Sequence, residues 1–471
     1  MFGATALLTL VTLTGLAAGF AREWLLVASW GAGARTDAFL VAMFLPEALR
    51  AVLAAGVLSS AGLSLWQARA ERERLPWLGT LTGGLLAIGL ALAAALMLGA
   101  PAWVRLIGPG LDAPQREVAA AALGVLAWSV PGTVLQALWT VPLQAQGRFL
   151  LAGAGSLLYN LPAIVWLGWR RGAASEVEVA GCFVIGSVLM AAVMLPSLRG
   201  AGLRPAQLAL RWAPLRELGG RLWPLVTSAG LGQGIALLER IACSYLGDGT
   251  LTVLNLARKL INLPLVALMS LNQVLLGVMS ARAGSERLAL LRRGMATVTL
   301  LTLPAAIGLM LGAHALVALL FPRVPGTGPL PLLLAWYAVA MVVASWNSTL
   351  ARYSYAGGDT RAPLAWEAAG SVLQALALPL LAWWLGALGI VLATLAGTVL
   401  TGWLLMRAHR LWRPLRLGPQ VAASAAALAM CALALKPLPA ATPVHELLLA
   451  GAMALLALAL FAAWLRPWRL A

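Results

Sequence analysis

The chain has 471 residues, 61% of them hydrophobic and 10% charged, with a formal net charge of +17. Composition excludes a soluble domain and leaves an all-α polytopic membrane protein. It also argues against nucleic acid as a partner, because the arginines cluster in short loops between apolar stretches, as cytoplasmic loops of membrane proteins do.

At about 20 apolar residues per crossing, the sequence predicts fourteen spans. They lie at 3–27, 37–66, 77–106, 118–145, 148–168, 177–198, 222–246, 250–281, 294–318, 330–352, 362–384, 387–406, 420–436 and 446–465. The first twenty residues hold no Lys or Arg. A cleavable signal needs a basic start, so the first span is expected to be a retained helix. With the N-terminus cytoplasmic, twenty-one Lys and Arg residues fall in cytoplasmic loops, seven on the other side and five within spans. That asymmetry predicts cytoplasmic N- and C-termini; Arg170 and Arg171 lie against the rule. Trp24, Trp30, Trp166, Trp169, Trp223, Trp383 and Trp464 fall near predicted span ends, where tryptophan anchors at the interface. Cys182, Cys243 and Cys431 sit in separate spans as small buried hydrophobes, and the three histidines share no metal-ligand spacing.

An internal repeat organises the spans. Arg22 and Pro46 are echoed by Arg240 and Pro264 at an offset of 218, with Gly31 on Gly249 and Asp37 on Asn255. A weaker echo pairs AlaGlySerLeu at 154–157 with AlaGlySerVal at 369–372. The pattern predicts two pseudo-symmetric six-helix lobes, 1–199 and 222–410. A basic cytoplasmic segment, 200–221, joins them, and two peripheral helices follow in 411–471. In transporters built from repeats the substrate site lies where the repeats meet. The 200–221 segment reads either as a plain linker or as a strip lying on an anionic leaflet.

The densest cluster of internal charge is the stretch from Gly19 to Trp66, where Arg22, Glu23, Asp37, Glu47 and Arg50 interrupt apolar sequence. A charge at bilayer depth costs about 2.5–3.5 kcal/mol on insertion scales, so it faces a cavity or a partner. Gly31 and Gly33 frame a turn, and Pro46 removes a backbone bond in mid-helix. Gly31, Gly33, Pro46 and Pro264 are therefore the candidate hinges. This stretch resembles the signature of the MurJ/MviN-type lipid II flippases of the MATE-like MOP exporter superfamily. The matching residues are the GFAR run ending at Arg22, the Gly31–Gly33 turn, Thr36 to Phe39, Val41, Ala42, Pro46, Arg50 and Gly56.

No nucleophile–base set and no phosphate-cradling Gly-rich loop is present, so the expectation is a transporter with no cofactor and no ATP hydrolysis, not an enzyme. The resemblance implies a flippase that moves an undecaprenyl-pyrophosphate-linked peptidoglycan precursor across the bacterial cytoplasmic membrane. Its partners are then a lipid-linked glycan and membrane lipids, with cell-wall synthesis proteins a further partner class. Arginine suits a pyrophosphate because its planar fork bonds two oxygens while staying charged. Arg22 and Arg50 from the first lobe, and Lys259 and Arg258 from the second, are the candidate cavity cations; the alternative for each is a local pair, such as Arg50 with Glu47. Arg258 and Lys259 point about 100° apart on a helix, so the two do not face one space. Asp37 either caps the second helix or gates its outer end. Glu239, beside Arg240, and Glu367 are candidate carboxylates for a coupling cation, with a satisfied polar group as the alternative. In the resembling family the last two helices help form a groove for a polyprenyl tail; composition alone reads them as lipid-facing.

Departures from the family pattern matter. Leu16 replaces an arginine, Ala55 a glutamate and Asn262 an acid that the family usually has. The other readings are a flippase for another lipid-linked oligosaccharide, a MATE-like small-molecule exporter and a non-transporting scaffold. A cation exporter calls for an acidic cavity, which the candidate cations oppose.

Overall fold

The computed structural model describes residues 2–54, 57–204, 207–322, 324–411, 415, 417–433 and 442–466. They form helices α1 (Phe2–Trp30), α2 (Ala34–Ala54), α3 (Val57–Gln67), α4 (Glu71–Leu98), α5 (Ala100–Ile107), α6 (Ala113–Leu126) and α7 (Ser129–Ala145). Next come α8 (Phe149–Gly153), α9 (Gly155–Arg170), α10 (Glu176–Ala192), α11 (Leu195–Gly200) and α12 (Trp212–Tyr245). The chain continues through α13 (Thr250–Ser280), α14 (Gly284–Leu311), α15 (Ala313–Leu320) and α16 (Leu330–Ala356). It ends with α17 (Arg361–Leu385), α18 (Ala387–Ala408), α19 (Gly418–Leu433) and α20 (Pro443–Leu465). No strand occurs among the described residues.

In its described residues, each of the fourteen expected spans falls on one helix or on a run of two; 55–56 and 434–436 lie outside them. Several that read as continuous are broken. The 77–106 stretch stops at Gly99, with Pro101 opening the next helix. The 118–145 stretch bends by 41° between α6 and α7. Pro131 lies in the first turn of α7 and has no N–H to offer the carbonyl of Ala127, so the ladder cannot run through. Among the described residues, seven helices are long and apolar enough to cross a bilayer, and the bent α6–α7 pair makes an eighth if taken as one span. The charge-bearing helices α1, α2, α12 and α13 are not in that set.

The chain forms two compact units, residues 1–248 and 249–471. In the first, α3, α4, α7, α11 and α12 close around Leu58, Leu65, Trp66, Leu78, Leu138, Leu198 and Leu218. In the second, Met279, Leu291, Met295, Leu350, Leu405 and Leu411 form a corresponding core.

The internal build repeats closely. α4 and α14 each have 28 residues, and α5 and α15 each have eight. Gly99 (φ −88°, ψ 5°) and Gly312 (φ −93°, ψ 5°) make the joints. Gly31 and Gly249, just before α2 and α13, both take left-handed backbone, with φ +80° and +84°. In the first turn of α4, Arg74 Nε donates to the carbonyls of Trp66 and Arg69, each at 3.2 Å. At the start of α14, Arg287 Nε donates to the carbonyls of Met279 at 3.2 Å and Arg282 at 2.9 Å. Each arginine thus reaches back to carbonyls where the preceding helix ends.

Candidate functional site

The first unit gathers its internal charges where α1, α2 and α9 meet. Gly31 turns the chain between α1 and α2, and Thr36 Oγ1 donates back to the Gly31 carbonyl at 2.6 Å. Asp37 follows in the first turn of α2 and is buried. Its backbone N–H bonds the Gly33 carbonyl at 3.0 Å. Pro46 lies inside α2, one residue before Glu47.

Arg22 is 1% exposed. Its Nη1 donates to Glu47 Oε1 at 2.7 Å and to Asn160 Oδ1 at 3.0 Å, and its Nη2 pairs with Glu23. The guanidinium lies 5.2 Å from the centre of the Phe183 ring. Asn160 is fixed in turn by donating to the Ser156 carbonyl at 2.7 Å. Two carboxylates and an amide thus surround one buried cation, which compensates the desolvation of all three charges. Glu47 joins Arg22, 25 residues away, and Arg50 has no carboxylate partner among the described residues. Arg50 instead stands 4.7 Å over the ring of Tyr159. It is half-buried, and its Nε has no hydrogen-bond partner among the described residues. Tyr159 packs against Phe183 with ring centres 5.2 Å apart and planes tilted by 44°, so one aromatic pair supports both arginines. Glu239 on α12 is also buried, and the Arg240 guanidinium lies 4.4 Å over Phe44 of α2.

At one end of this unit, Arg35 pairs with Glu176, donates to the Ala174 carbonyl at 2.7 Å and lies over Trp30. Trp30 Nε1 bonds the same carbonyl at 3.0 Å. Arg170 has a carboxylate of Glu178 at 3.6 Å.

In the second unit Arg258 and Lys259 are half-buried on α13. Arg258 Nη2 donates to Tyr337 Oη at 3.2 Å. Pro264 lies within α13, and Glu367 lines a separate polar cavity of about 370 Å³ between α16, α17 and α18. Arg352, Tyr355, Ser371, Gln374, Thr398 and Thr401 share that cavity. Beside it lies an apolar cavity of about 480 Å³, lined from α16, α18 and α19 by Trp336, Trp346, Val399, Trp403, Val421 and Leu428.

The family model described as lipid II flippase MurJ matches residues 26–454. The chain belongs to the lipid II flippase MurJ family. A relative from Rhizobium tropici, described as a probable lipid II flippase MurJ, is 25% identical over 389 residues, covering 77% of this chain and 73% of that one. A solved structure of a lipid II flippase MurJ in an inward closed conformation superposes with a TM-score of 0.82 at 19% identity, over 98% of this chain and 99% of that one. An inward-facing MATE-family multidrug resistance transporter of the MOP superfamily superposes with a TM-score of 0.69 at 16% identity, over 87% and 96%. This is therefore a polytopic helical membrane protein of a MurJ family with MOP-type architecture.

Of the three positions where this MurJ-family chain departs from the expected charges, Leu16 and Asn262 are exposed. Ala55, like Gly56 of the signature, lies outside the described residues. Sequence reasoning missed Tyr159, Asn160 and Phe183, the partners of the two arginines. The signal was there in part: an adjacent Tyr and Asn inside an apolar span need partners as a charge does.

Proposed function

We propose that this chain moves lipid II, an undecaprenyl-pyrophosphate-linked peptidoglycan precursor, from the inner to the outer leaflet of the bacterial cytoplasmic membrane by alternating access. The family match over residues 26–454 carries the reading. Both termini are cytoplasmic in it, in keeping with the arginine-rich loops. The head group needs a wet, cationic route, and we assign Arg50 of the first unit and Lys259 of the second to its phosphates; Arg258, turned about 100° from Lys259 and bonded to Tyr337, is assigned to holding α13 against α16. Arg22, already bonded to two carboxylates, is assigned to holding the α1–α2 corner so that Arg50 keeps its place. Asp37 gates the outer end of that corner. Glu367, in the polar cavity of the second unit, is assigned to a coupling cation, and an ion gradient or the membrane potential supplies the work. The potential is worth about 2.3 kcal/mol per charge per 100 mV. Cell-wall synthesis proteins are the neighbours such an activity calls for.

Rescue of a strain depleted of its own lipid II flippase tests this. The parent chain restores growth, whereas Arg50→Ala reaches the membrane in normal amount and does not. No rescue by a correctly inserted parent chain removes lipid II as the substrate. Rescue by Arg50→Ala removes Arg50 from the site.

A further inference from the structure

The segment entering α12 has features that a connector does not need. Between Arg199 and Trp223 it carries five arginines and one acid, Glu217. Glu217 pairs with Arg69 of the first unit. Arg204, Arg211, Arg216 and Arg221 are exposed, and none makes an ion pair among the described residues. Among and just after them stand Leu210, Trp212 and Trp223, exposed by 74%, 73% and 72%. Trp212, Arg216, Gly220 and Trp223 follow helical spacing along one face of α12. Trp212, Arg216, Gly220 and Arg221 border a shallow depression.

This strip is docked on the first unit. A Cβ on Gly79 of α4 would lie 2.6 Å from Gln207, and one on Gly84 would lie 2.6 Å from Leu215. At Gly79 the neighbour includes backbone, the Gln207 carbonyl at 2.7 Å, so only glycine lets the strip approach α4 so closely there. Leu218 is 1% exposed and belongs to the core of the unit. The segment is thus anchored on one side and presents cations and aromatic rings on the other. Isolated arginines would serve solubility; exposed tryptophans beside them would not.

We propose that this strip is a binding surface for anionic phospholipid of the surrounding leaflet. Arg211, Arg216 and Arg221 take the head-group phosphates, while Leu210, Trp212 and Trp223 enter the interfacial layer. Charge complementarity selects the occupant: a cationic strip with amphipathic rings fits an anionic membrane surface. The proposal requires only that the chain spans a membrane and is independent of what it transports.

The test uses the full-length protein reconstituted in vesicles of phosphatidylcholine with about one third phosphatidylglycerol. After extraction, lipids retained per protein are counted by native mass spectrometry. The parent chain retains phosphatidylglycerol in preference to phosphatidylcholine. Replacing Arg211, Arg216 and Arg221 together by Gln removes that preference, each charge counting for roughly a fivefold loss. The corresponding triple Lys variant elutes as the parent does and keeps the preference. An unchanged preference in the Gln variant overturns the proposal, as does an equal loss in a control carrying Arg282→Gln and Arg292→Gln. Displacement of phosphatidylglycerol from the strip by equimolar undecaprenyl pyrophosphate also overturns it, since the surface would then serve the substrate.

Discussion

The two units share a scaffold and fill it differently. In each, a glycine on one helix rests on a carbonyl of the helix before it: Gly186 of α10 on Tyr159 of α9, and Gly397 of α18 on Gly370 of α17. In each, a tryptophan indole bonds a threonine across two helices, Trp139 to Thr82 at 3.1 Å and Trp346 to Thr299 at 2.9 Å. At the glycine crossing the resemblance stops. The first unit places Tyr159 and Asn160 there, and they hold Arg50 and Arg22. The second places Gly370 and Ser371 there, and both line the polar cavity. Large side chains build a charge network at one crossing; small ones border a polar cavity at the other. The repeat supplies the frame, and side-chain volume decides whether it encloses an ion pair or a space.

The sharpest way to break that contrast is to remove one charge from each copy. Arg22→Ala leaves Glu23 and Glu47 without the cation between them and should cost about 3–5 kcal/mol of stability. Glu367→Gln borders a polar cavity and should cost less than about 1 kcal/mol. Unfolding of both variants in one detergent measures the difference. Equal losses would show that the second copy is as tightly bonded as the first.

The helices were legible because twenty apolar residues in a row have few other fates. Their breaks were not. A single glycine such as Gly99 or Gly312 vanishes inside a long apolar run, and its effect depends on the helix that follows. Arg22 and Arg50 were legible from the cost of charge in lipid, but their partners were not. A local pair of Arg50 with Glu47 was the alternative to a cavity role, yet Glu47 bonds Arg22, and Asn160 is 138 residues away from Arg22 in sequence. The repeat was visible through Arg22, Pro46 and Gly31. Its clearest letters went unused: ARAERERL at 68–75 and ARAGSERL at 281–288 agree at six of eight positions. They carry the Arg74 and Arg287 carbonyl caps. The AlaGlySer echo, at an offset of 215, runs one helical turn out of step with the glycine crossings, which stand 211 apart.

A second pair of substitutions sharpens the shared part of the comparison. Gly186→Ala pushes a methyl into the Tyr159 carbonyl, and a Cβ on Gly397 would lie 2.6 Å from the Gly370 carbonyl. Backbone cannot step aside as a flexible side chain can. Each substitution should cost about 1–3 kcal/mol, by similar amounts in the two copies. Thermal unfolding of the two proteins checks this. If only Gly186→Ala destabilises, the crossing is rigid in the filled copy alone, and the hollow copy absorbs the extra methyl by yielding.

The smallest effect isolates what Tyr159 does for Arg50. The guanidinium sits 4.7 Å from the ring centre, so the ring face is what it meets. Tyr159→Phe keeps that face and should hold Arg50 nearly as before. Tyr159→Leu keeps apolar bulk but removes the ring's negative face, at a cost of about 0.5–2 kcal/mol. Stability alone would not separate this from imperfect packing against Phe183. A double-mutant cycle with Arg50→Met does: the loss from Tyr159→Leu should largely disappear once the cation is gone. If the loss persists in full, the ring serves the core and Arg50 merely lies beside it. The first copy would then owe its packing at this crossing to aromatic volume, with Arg22 held there by its carboxylates.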